Sequence, residues 1–532
     1  MTTVEDGDDG PVPPKPQRGE GGGTRTTGQT AVDRVLERYS WFVFAVFASV
    51  CLASLLIRAR AKPFWHDEIY TILHAGLPSL GTMWRAAVDG FDLSPPLNTW
   101  LTRGVHGVLG VGHISTRVPP LLGYMTMTLV VFHLLKSRAN TVTALSGALL
   151  PCFTAAYRYS YEARGYGLMV GLFALALYAW SEAARGRKRN IHLPLLAVSL
   201  AGSVWNHYYG ILIFVPIAAG ECVRSLQTRR IDRGALAAFV GATLAIVPIY
   251  PLAAAARTQS ASFWSRASGT NISGTYQFVF APIFERDFGY AAIAIGALAL
   301  LLRASKAYRQ GGRSVPTYEV FAGLVALLIP IFGVALGLML TGVFVPRYAM
   351  SAVVGLSLVV PLIVWQRHTR GGSAELLLCG VLLYGFARSV GPSLQSRPVF
   401  VDPFLSKPLL QSAVTTGPAV VSSSSLQFLQ HWYYTPNSLK GRLRYLADVE
   451  NARRLMASDT IDRGYLALHR WTAVPIEPYD SFVAGHREFR VHEGGSGWLL
   501  RKLDEIGATR TELGRGPGER LLLVQLPSEA TR

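Results

Sequence analysis

The chain has 532 residues, of which 50% are hydrophobic and only 16% charged, against about a quarter charged in an ordinary soluble domain. Long apolar runs with so little charge exclude a plain soluble protein and place the chain in the membrane class. The net charge of +18 does not mark a nucleic-acid binder, because most of the excess lies in short basic clusters between apolar runs, such as Arg185-Gly186-Arg187-Lys188-Arg189, and not on one soluble face.

Residues 1–32 are rich in Gly, Pro, Thr and charge, with the acidic stretch Glu5-Asp6-Gly7-Asp8-Asp9. Such a segment cannot bury enough surface to fold and is read as a disordered cytoplasmic tail. No apolar core follows a short basic start, so it is not a signal peptide.

A membrane helix needs about 20 apolar residues. Residues 33–395 form the membrane domain, with predicted spans near 40–57, 118–135, 141–157, 166–184, 191–205, 210–223, 235–256, 289–303, 319–341, 348–366 and 375–390. The count is about eleven. The stretch 97–111 is apolar but short and broken by Arg103, and reads as an interfacial helix.

Lys and Arg set the orientation. Alternate connections carry Lys136 and Arg138; Arg185 to Arg189; Arg224, Arg229, Arg230 and Arg233; Arg303, Lys306, Arg309 and Arg313; and Arg367 and Arg370. The N-terminus therefore starts in the cytoplasm, and after an odd number of spans residues 396–532 lie outside. The setting is a bacterial-type inner (plasma) membrane crossed many times. Cys51, Cys152, Cys222 and Cys379 all fall in apolar segments and read as small core residues, with no disulfide framework or zinc site.

Residues 396–532 change character. Pro418-Ala419-Val420-Val421 reads as a buried strand running into Ser422–Ser425, with a helix near 424–433. Leu521-Leu522-Leu523-Val524-Gln525-Leu526 reads as another strand, preceded by a Gly-Arg-Gly-Pro-Gly turn. Strands alternating with helices predict a small extracytoplasmic α/β domain. No complete nucleotide-binding Gly fingerprint and no internal repeat is present.

Three stretches could carry chemistry, all on the predicted external face. The first external loop, 58–117, opens with Phe64-Trp65-His66-Asp67-Glu68-Ile69-Tyr70 and continues to Asp92-Leu93-Ser94-Pro95-Pro96-Leu97-Asn98. Its apolar and aromatic content should hold its carboxylates near lipid headgroups. A carboxylate there can act as general base toward an acceptor hydroxyl; equally, Asp67 or Glu68 could cap a helix beginning near Ile69. The second stretch is Tyr157-Arg158-Tyr159-Ser160-Tyr161-Glu162-Ala163-Arg164-Gly165-Tyr166. Charges at an apolar boundary are costly unless paired or used: Glu162 could assist Asp67, and Arg164 could hold a phosphate through its fork, or both belong to an interfacial ion network with an aromatic belt. The third is Pro346-Arg347-Tyr348, where Arg347 either snorkels to the interface or holds an anionic headgroup. His66, His207, Tyr208 and Arg266 are lesser candidates. Asp92, Glu68 and His66 could contribute to a divalent-cation site, but their spacing matches no strong metal motif and no metal or other cofactor is assigned.

The order of these motifs resembles the GT-C superfamily of integral-membrane glycosyltransferases, in the branch holding protein O-mannosyltransferases and lipid A aminoarabinose transferases. The resemblance covers roughly residues 40–390. It rests on the Asp-Glu pair after the first span, Ser94-Pro95-Pro96-Leu97, Glu162-Ala163-Arg164-Gly165-Tyr166, the aromatic-His turn at 205–209, and Arg347-Tyr348. It implies sugar transfer, with inversion, from a polyprenyl-phosphate donor on the external leaflet to a glycolipid, glycan or protein acceptor. Asp67 would activate the acceptor, with Glu68 beside it and Glu162 as a second acidic position. Arg164, Arg347, Tyr348 and Arg158 would meet the donor phosphate, and His66, Asp92, Pro95, Pro96, His207 and Tyr208 would complete the pocket. Where the family often has His before Pro-Pro, this chain has Ser94.

Two other classes fit a multi-spanning chain. A transporter or flippase of a lipid-linked sugar is expected to bury ionisable groups near mid-membrane, often in repeated halves, whereas here they cluster at span ends. A non-catalytic assembly protein could keep the fold, but Asp67, Glu162 and Arg347 all remain. The expected partners are the donor lipid, the acceptor and the bilayer, with no nucleic acid.

Overall fold

A computed structural model describes Thr2 and residues 31–284, 315–365, 373–396 and 398–527. Most of the predicted N-terminal tail, the predicted span 289–303, and the basic residues Arg303, Lys306, Arg309, Arg313, Arg367 and Arg370 lie outside them.

The first span is α1 (Ser40–Ala61), stopped by Pro63. The loop 58–117 then folds into three short helices, α2 (His66–Ala75), α3 (Leu80–Val88) and α4 (Leu97–Leu109). The 13 residues of α4 reach only about 20 Å, too short to cross a bilayer, as the sequence reading expects. The chain re-enters through α5 (Val118–Arg138) and continues through α6 (Thr141–Leu149), α7 (Tyr166–Ala184), α8 (Arg189–Asn206), α9 (Phe214–Thr228), α10 (Arg233–Ile246) and α11 (Tyr250–Thr258). Among the described residues, six helices are long and apolar enough to cross a membrane, or seven if the pair Thr317–Leu327 and Ile329–Thr341, bent by 51°, counts as one span. Thr141–Phe153 and Ala352–Trp365 are apolar but shorter. Cys51, Cys152 and Cys379 are buried as expected; Cys222 is exposed, because it lies on the outer side of α9.

The helices that carry the site touch through small residues. A Cβ on Gly123 of α5 would lie 2.4 Å from the Gly167 carbonyl of α7, and one on Gly171 would lie 2.4 Å from the Gly123 carbonyl. Without a hydrophobic drive between helices in lipid, such close backbone approach supplies the packing. It also fixes the start of α7, where Arg164 and Tyr166 stand.

The C-terminal domain is α/β, with a six-stranded sheet in the order β3-β2-β1-β4-β6-β5. β1 (Val420–Ser422), β2 (Leu443–Ala447), β3 (Ile476–Pro478) and β4 (Glu488–Glu493) run parallel, and β5 (Thr509–Gly516) and β6 (Glu519–Gln525) close one edge as an antiparallel hairpin. The Gly-Arg-Gly-Pro-Gly run makes that hairpin turn, with Gly518 at φ +67°, a left-handed angle that glycine adopts without a steric penalty. The expected helix near 424–433 is α12 (Ser425–Tyr434), capped by the Ser424 hydroxyl.

This domain shares its core with the loop after α1. Phe64, Ile69, Tyr70 and Phe91 pack in one buried cluster with Phe428, Tyr445 and Tyr465. Gln430 Nε2 donates to the Phe64 carbonyl at 2.7 Å, and the Phe64 N–H donates to the Tyr434 hydroxyl at 2.7 Å. The domain thus sits as a roof over α2.

Within the roof, Asp462 is buried and accepts from Trp498 Nε1 at 3.0 Å, the Asp448 N–H at 3.1 Å and the Tyr445 hydroxyl at 3.2 Å. Burial outweighs these bonds and pushes its carboxyl up from 3.8 to about 6. A folded-state value above the unfolded one means that ionisation opposes folding. The stability linked to this group is whole at acid pH and is lost as pH rises through about 6. Asp462→Asn keeps all three acceptor contacts. It is expected to raise the melting temperature at neutral pH and leave it unchanged below about pH 4, which a thermal-unfolding series across pH would read directly.

Candidate active site

Between the membrane helices and the roof lies a cavity of about 690 Å³, within the range of small-molecule sites. Its walls come from α2 (Trp65, His66, Asp67, Tyr70), the Asp92–Pro95 turn, Arg164 and Tyr166, the His207–Tyr209 turn, α11 (Ala253, Ala256, Arg257), the Phe263-Trp264 segment, Leu340–Val343 and Arg347-Tyr348. Leu426, Thr460, Ile461 and Gly464 of the roof close it.

The acidic pair divides sharply. Successive residues on a helix point about 100° apart, so Asp67 and Glu68 cannot face the same way. Asp67 Oδ2 stands 3.7 Å from Arg347 Nη2 with its side chain 25% exposed to the cavity, and its Oδ1 lies 3.2 Å from His66 Nδ1. Glu68 points backward and is fully buried. Its Oε1 and Oε2 take Arg117 Nε at 2.7 Å and Nη2 at 2.8 Å. Oε1 also accepts the Ala163 N–H at 2.7 Å, and Oε2 accepts the Trp65 N–H at 3.3 Å. The capping alternative therefore describes Glu68, and the cavity wall belongs to Asp67.

Asp67 is strongly ionised. Burial works against its charge, but the His66 hydrogen bond and the Arg164 and Arg347 charges outweigh that, holding its carboxyl well below the usual range. Arg164 is largely consumed by protein acceptors. It donates to Ser94 Oγ at 2.7 Å, Asp92 Oδ2 at 3.2 Å, the Asp67 carbonyl at 3.3 Å and Thr71 Oγ1 at 3.4 Å. Ser94, standing where the family pattern has His, here fastens Arg164. Its own N–H donates to Asp92 Oδ1 at 3.1 Å, which shapes the Ser94-Pro95-Pro96 turn.

Arg347 is the freer guanidinium. Its Nε donates to the Tyr166 hydroxyl at 2.8 Å, and its plane lies 5.9 Å from the Tyr166 ring and 5.8 Å from the Trp264 ring. Two aromatic faces hold the cation while its terminal N–H groups meet the cavity. The His207 ring packs at a 56° tilt against Tyr348, 4.6 Å between centroids, and lies 5.6 Å from Tyr166. Burial, then Arg164 and Arg347, drive its imidazole down to about 3, so it is neutral and adds no charge.

The remaining expectations scatter. Glu162 is buried outside the cavity and pairs with Lys62 Nζ at 2.7 Å; burial raises its pKa against the pull of Lys62. Arg158 is exposed and lines no wall of this cavity. Pro95 lines the cavity, whereas Pro96 sits behind it at the start of α4. His66, Glu68 and Asp92 are not assembled as a cation site, and no group of three or more His, Cys, Asp or Glu among the described residues could hold a metal ion. Arg257, near the end of α11, and Trp264, in the segment after it, also line the cavity, although no local sequence pattern marks either residue. Arg266 instead donates to the Ala261 carbonyl.

Residues 94–254 match the family described as dolichyl-phosphate-mannose-protein mannosyltransferase. Among solved structures, the chain resembles ArnT from Cupriavidus metallidurans in the apo state, with a TM-score of 0.58 at 13% identity, over 92% of this chain and 98% of that one. The same protein bound to undecaprenyl phosphate gives a TM-score of 0.57 at 12% identity, over 92% and 99%. No curated protein sequence matches significantly. At these identities the likeness is one of fold, and it spans the membrane helices and the roof together.

Proposed function

We propose that this chain, which has the GT-C glycosyltransferase fold of the ArnT and protein O-mannosyltransferase branch, transfers a sugar from a polyprenyl-phosphate donor to a hydroxyl acceptor on the external face of a plasma membrane. The observation that carries this is the Asp67–Arg347 pair, 3.7 Å apart on one wall of the 690 Å³ cavity. An acceptor hydroxyl beside Asp67 attacks the sugar's anomeric carbon and gives its proton to the carboxylate. The bond from that carbon to the phosphate oxygen breaks on the opposite face, which inverts the configuration. The phosphate leaves with its electron pair and meets Arg347, with Arg257 on the α11 wall as a second cation. A phosphate leaves without needing a strong acid, so charge complementarity supplies most of the stabilisation.

The apolar flank of the mouth fits a lipid-linked donor. Leu338, Met339 and Leu340 are all more than half exposed just before Arg347, and Val247 and Tyr250 are exposed beside α11. A polyprenyl tail lying on these side chains would bring its phosphate to Arg347 from the bilayer.

Binding of undecaprenyl phosphate to the purified protein in nanodiscs tests the donor half of the reading. Arg347→Ala removes a charge-assisted contact worth about 1.5–3 kcal/mol, so affinity should fall about 10- to 100-fold. Unchanged affinity would demote Arg347 to an interface anchor. Mass spectrometry of surface glycans and glycolipids from a strain lacking the protein would identify the product.

A further inference from the structure

We propose that Asp459 is a positioning residue: it clamps the roof to the cavity wall and thereby holds Trp264 against Arg347. This rests on the reading that Arg347 meets the donor phosphate.

Asp459 immediately precedes the helix Thr460–Trp471 and is fully buried. Its Oδ2 accepts from Arg453 Nη2 at 2.7 Å and Arg463 Nε at 2.9 Å. That leaves Oδ1 for a partner outside the domain, the Ser262 hydroxyl, at 2.5 Å. Thr460 Oγ1 adds a second contact, donating to the Ser262 carbonyl at 3.4 Å. Two residues before Asp459, Ala457 holds the left-handed conformation, φ 57° and ψ 12°, which costs a non-glycine residue of order 1 kcal/mol. The strained turn is what presents Asp459 to the membrane domain.

The contact continues into the site. Ser262 is two residues from Trp264, whose ring lies 5.8 Å from the Arg347 guanidinium. Beyond Trp264 the segment is laced to the strand-like stretch leading to Arg347: the Phe344 N–H donates to the Ser265 carbonyl at 3.3 Å, the Ser265 hydroxyl to the Phe344 carbonyl at 2.7 Å, and the Ala267 N–H to the Gly342 carbonyl at 3.1 Å. The segment that carries Trp264 is thus pinned at one end beside Arg347 and at the other by Asp459. A buried carboxylate is an expensive way merely to join two surfaces. A charge-assisted hydrogen bond of fixed direction supplies register, and here the register it sets is that of the ring under the phosphate-facing arginine.

The test measures undecaprenyl phosphate affinity in nanodiscs for the full-length protein, with melting temperature as the folding check. Ser262→Ala and Asp459→Asn should each weaken binding about fivefold and Trp264→Ala about tenfold, while Ser262→Ala combined with Trp264→Ala should bind no worse than Trp264→Ala alone. A shared pathway gives that non-additivity; a merely structural bond does not. If Asp459→Asn fails to fold, the serine variant and the double variant decide. Additive losses, or wild-type affinity in Ser262→Ala while Trp264→Ala and Arg347→Ala both weaken, would overturn the clamp and leave the role of Arg347 standing. Wild-type affinity in Arg347→Ala would instead overturn the reading beneath it.

Discussion

Asp67→Asn is expected to lower sugar transfer by about three orders of magnitude, the usual range for removing a positioned general base, while undecaprenyl phosphate binding and melting temperature stay near wild type. Asparagine keeps the shape of the side chain and the 3.2 Å approach to His66, so little packing changes. What disappears is the carboxylate charge 3.7 Å from Arg347. A carboxylate held this far below its usual range is a weak base while the cavity is empty. The cause of the depression is partly Arg347 itself. A donor phosphate at Arg347 would draw off that positive field, so Asp67 should gain basicity only when the donor is in place. Two results follow for measurement. Because the free carboxyl is ionised throughout, kcat/KM for the donor should show no acidic limb from Asp67 at pH values where the protein is folded. The asparagine variant should bind donor at least as tightly as wild type, since Arg347 loses a competing anion. Transfer at the wild-type rate in Asp67→Asn would sink the assignment.

Much of this was legible in the sequence where a signal is local. Membrane class, the short α4 helix, the strands at Val420 and Leu521 and the α/β character of the roof all follow from hydropathy and period, which depend on a few neighbouring residues. The approach of Asp67 and Arg347 was legible through topology, since the charge pattern predicts that both sit at span ends on one face. Division of labour among these charges was not. Asp67 and Glu68 are indistinguishable as letters, and only the helical turn between them sends one to the cavity and one to Arg117. Arg164 and Arg347 likewise read as equal phosphate ligands, yet Arg164 is bound to Asp92 and Ser94. Glu162, a second acidic position by its place in the motif, pairs with Lys62 and does not line the cavity, which no local pattern announces. The roof's share of the cavity was invisible for a different reason: Thr460 meets Ser262 and Gly464 closes on Tyr70 from far along the chain, and no pattern in either segment encodes that meeting.

The neighbour of the proposed catalytic residue should behave in the opposite way. Arg117 has no exposed side-chain surface, and neither does Glu68. Besides its two bonds to Glu68, the guanidinium donates to the carbonyls of Ala59, Lys62 at 2.9 Å and Pro63 at 3.4 Å, and it stacks on Phe64 at 4.7 Å. It therefore satisfies the carbonyl end of α1 and fixes where α2 begins. Through the Ala163 N–H, Glu68 also anchors the turn that carries Arg164. Removing one partner of a buried pair strands the other charge and costs about 3–5 kcal/mol. Glu68→Ala should accordingly lower the apparent melting temperature by ~5 °C or more and reduce yield, before any effect on chemistry is considered. Arg117→Lys should do nearly as much harm, because an ammonium cannot reproduce the fork that spans both carboxylate oxygens and the carbonyls. Replacing both residues with apolar ones of similar volume, Glu68→Leu with Arg117→Met, should recover part of the loss, since no buried charge is left unpaired. Thermal unfolding of the single and double variants beside Asp67→Asn separates the two carboxylates. A Glu68→Ala protein that melts like wild type yet transfers no sugar would return Glu68 to the catalytic centre.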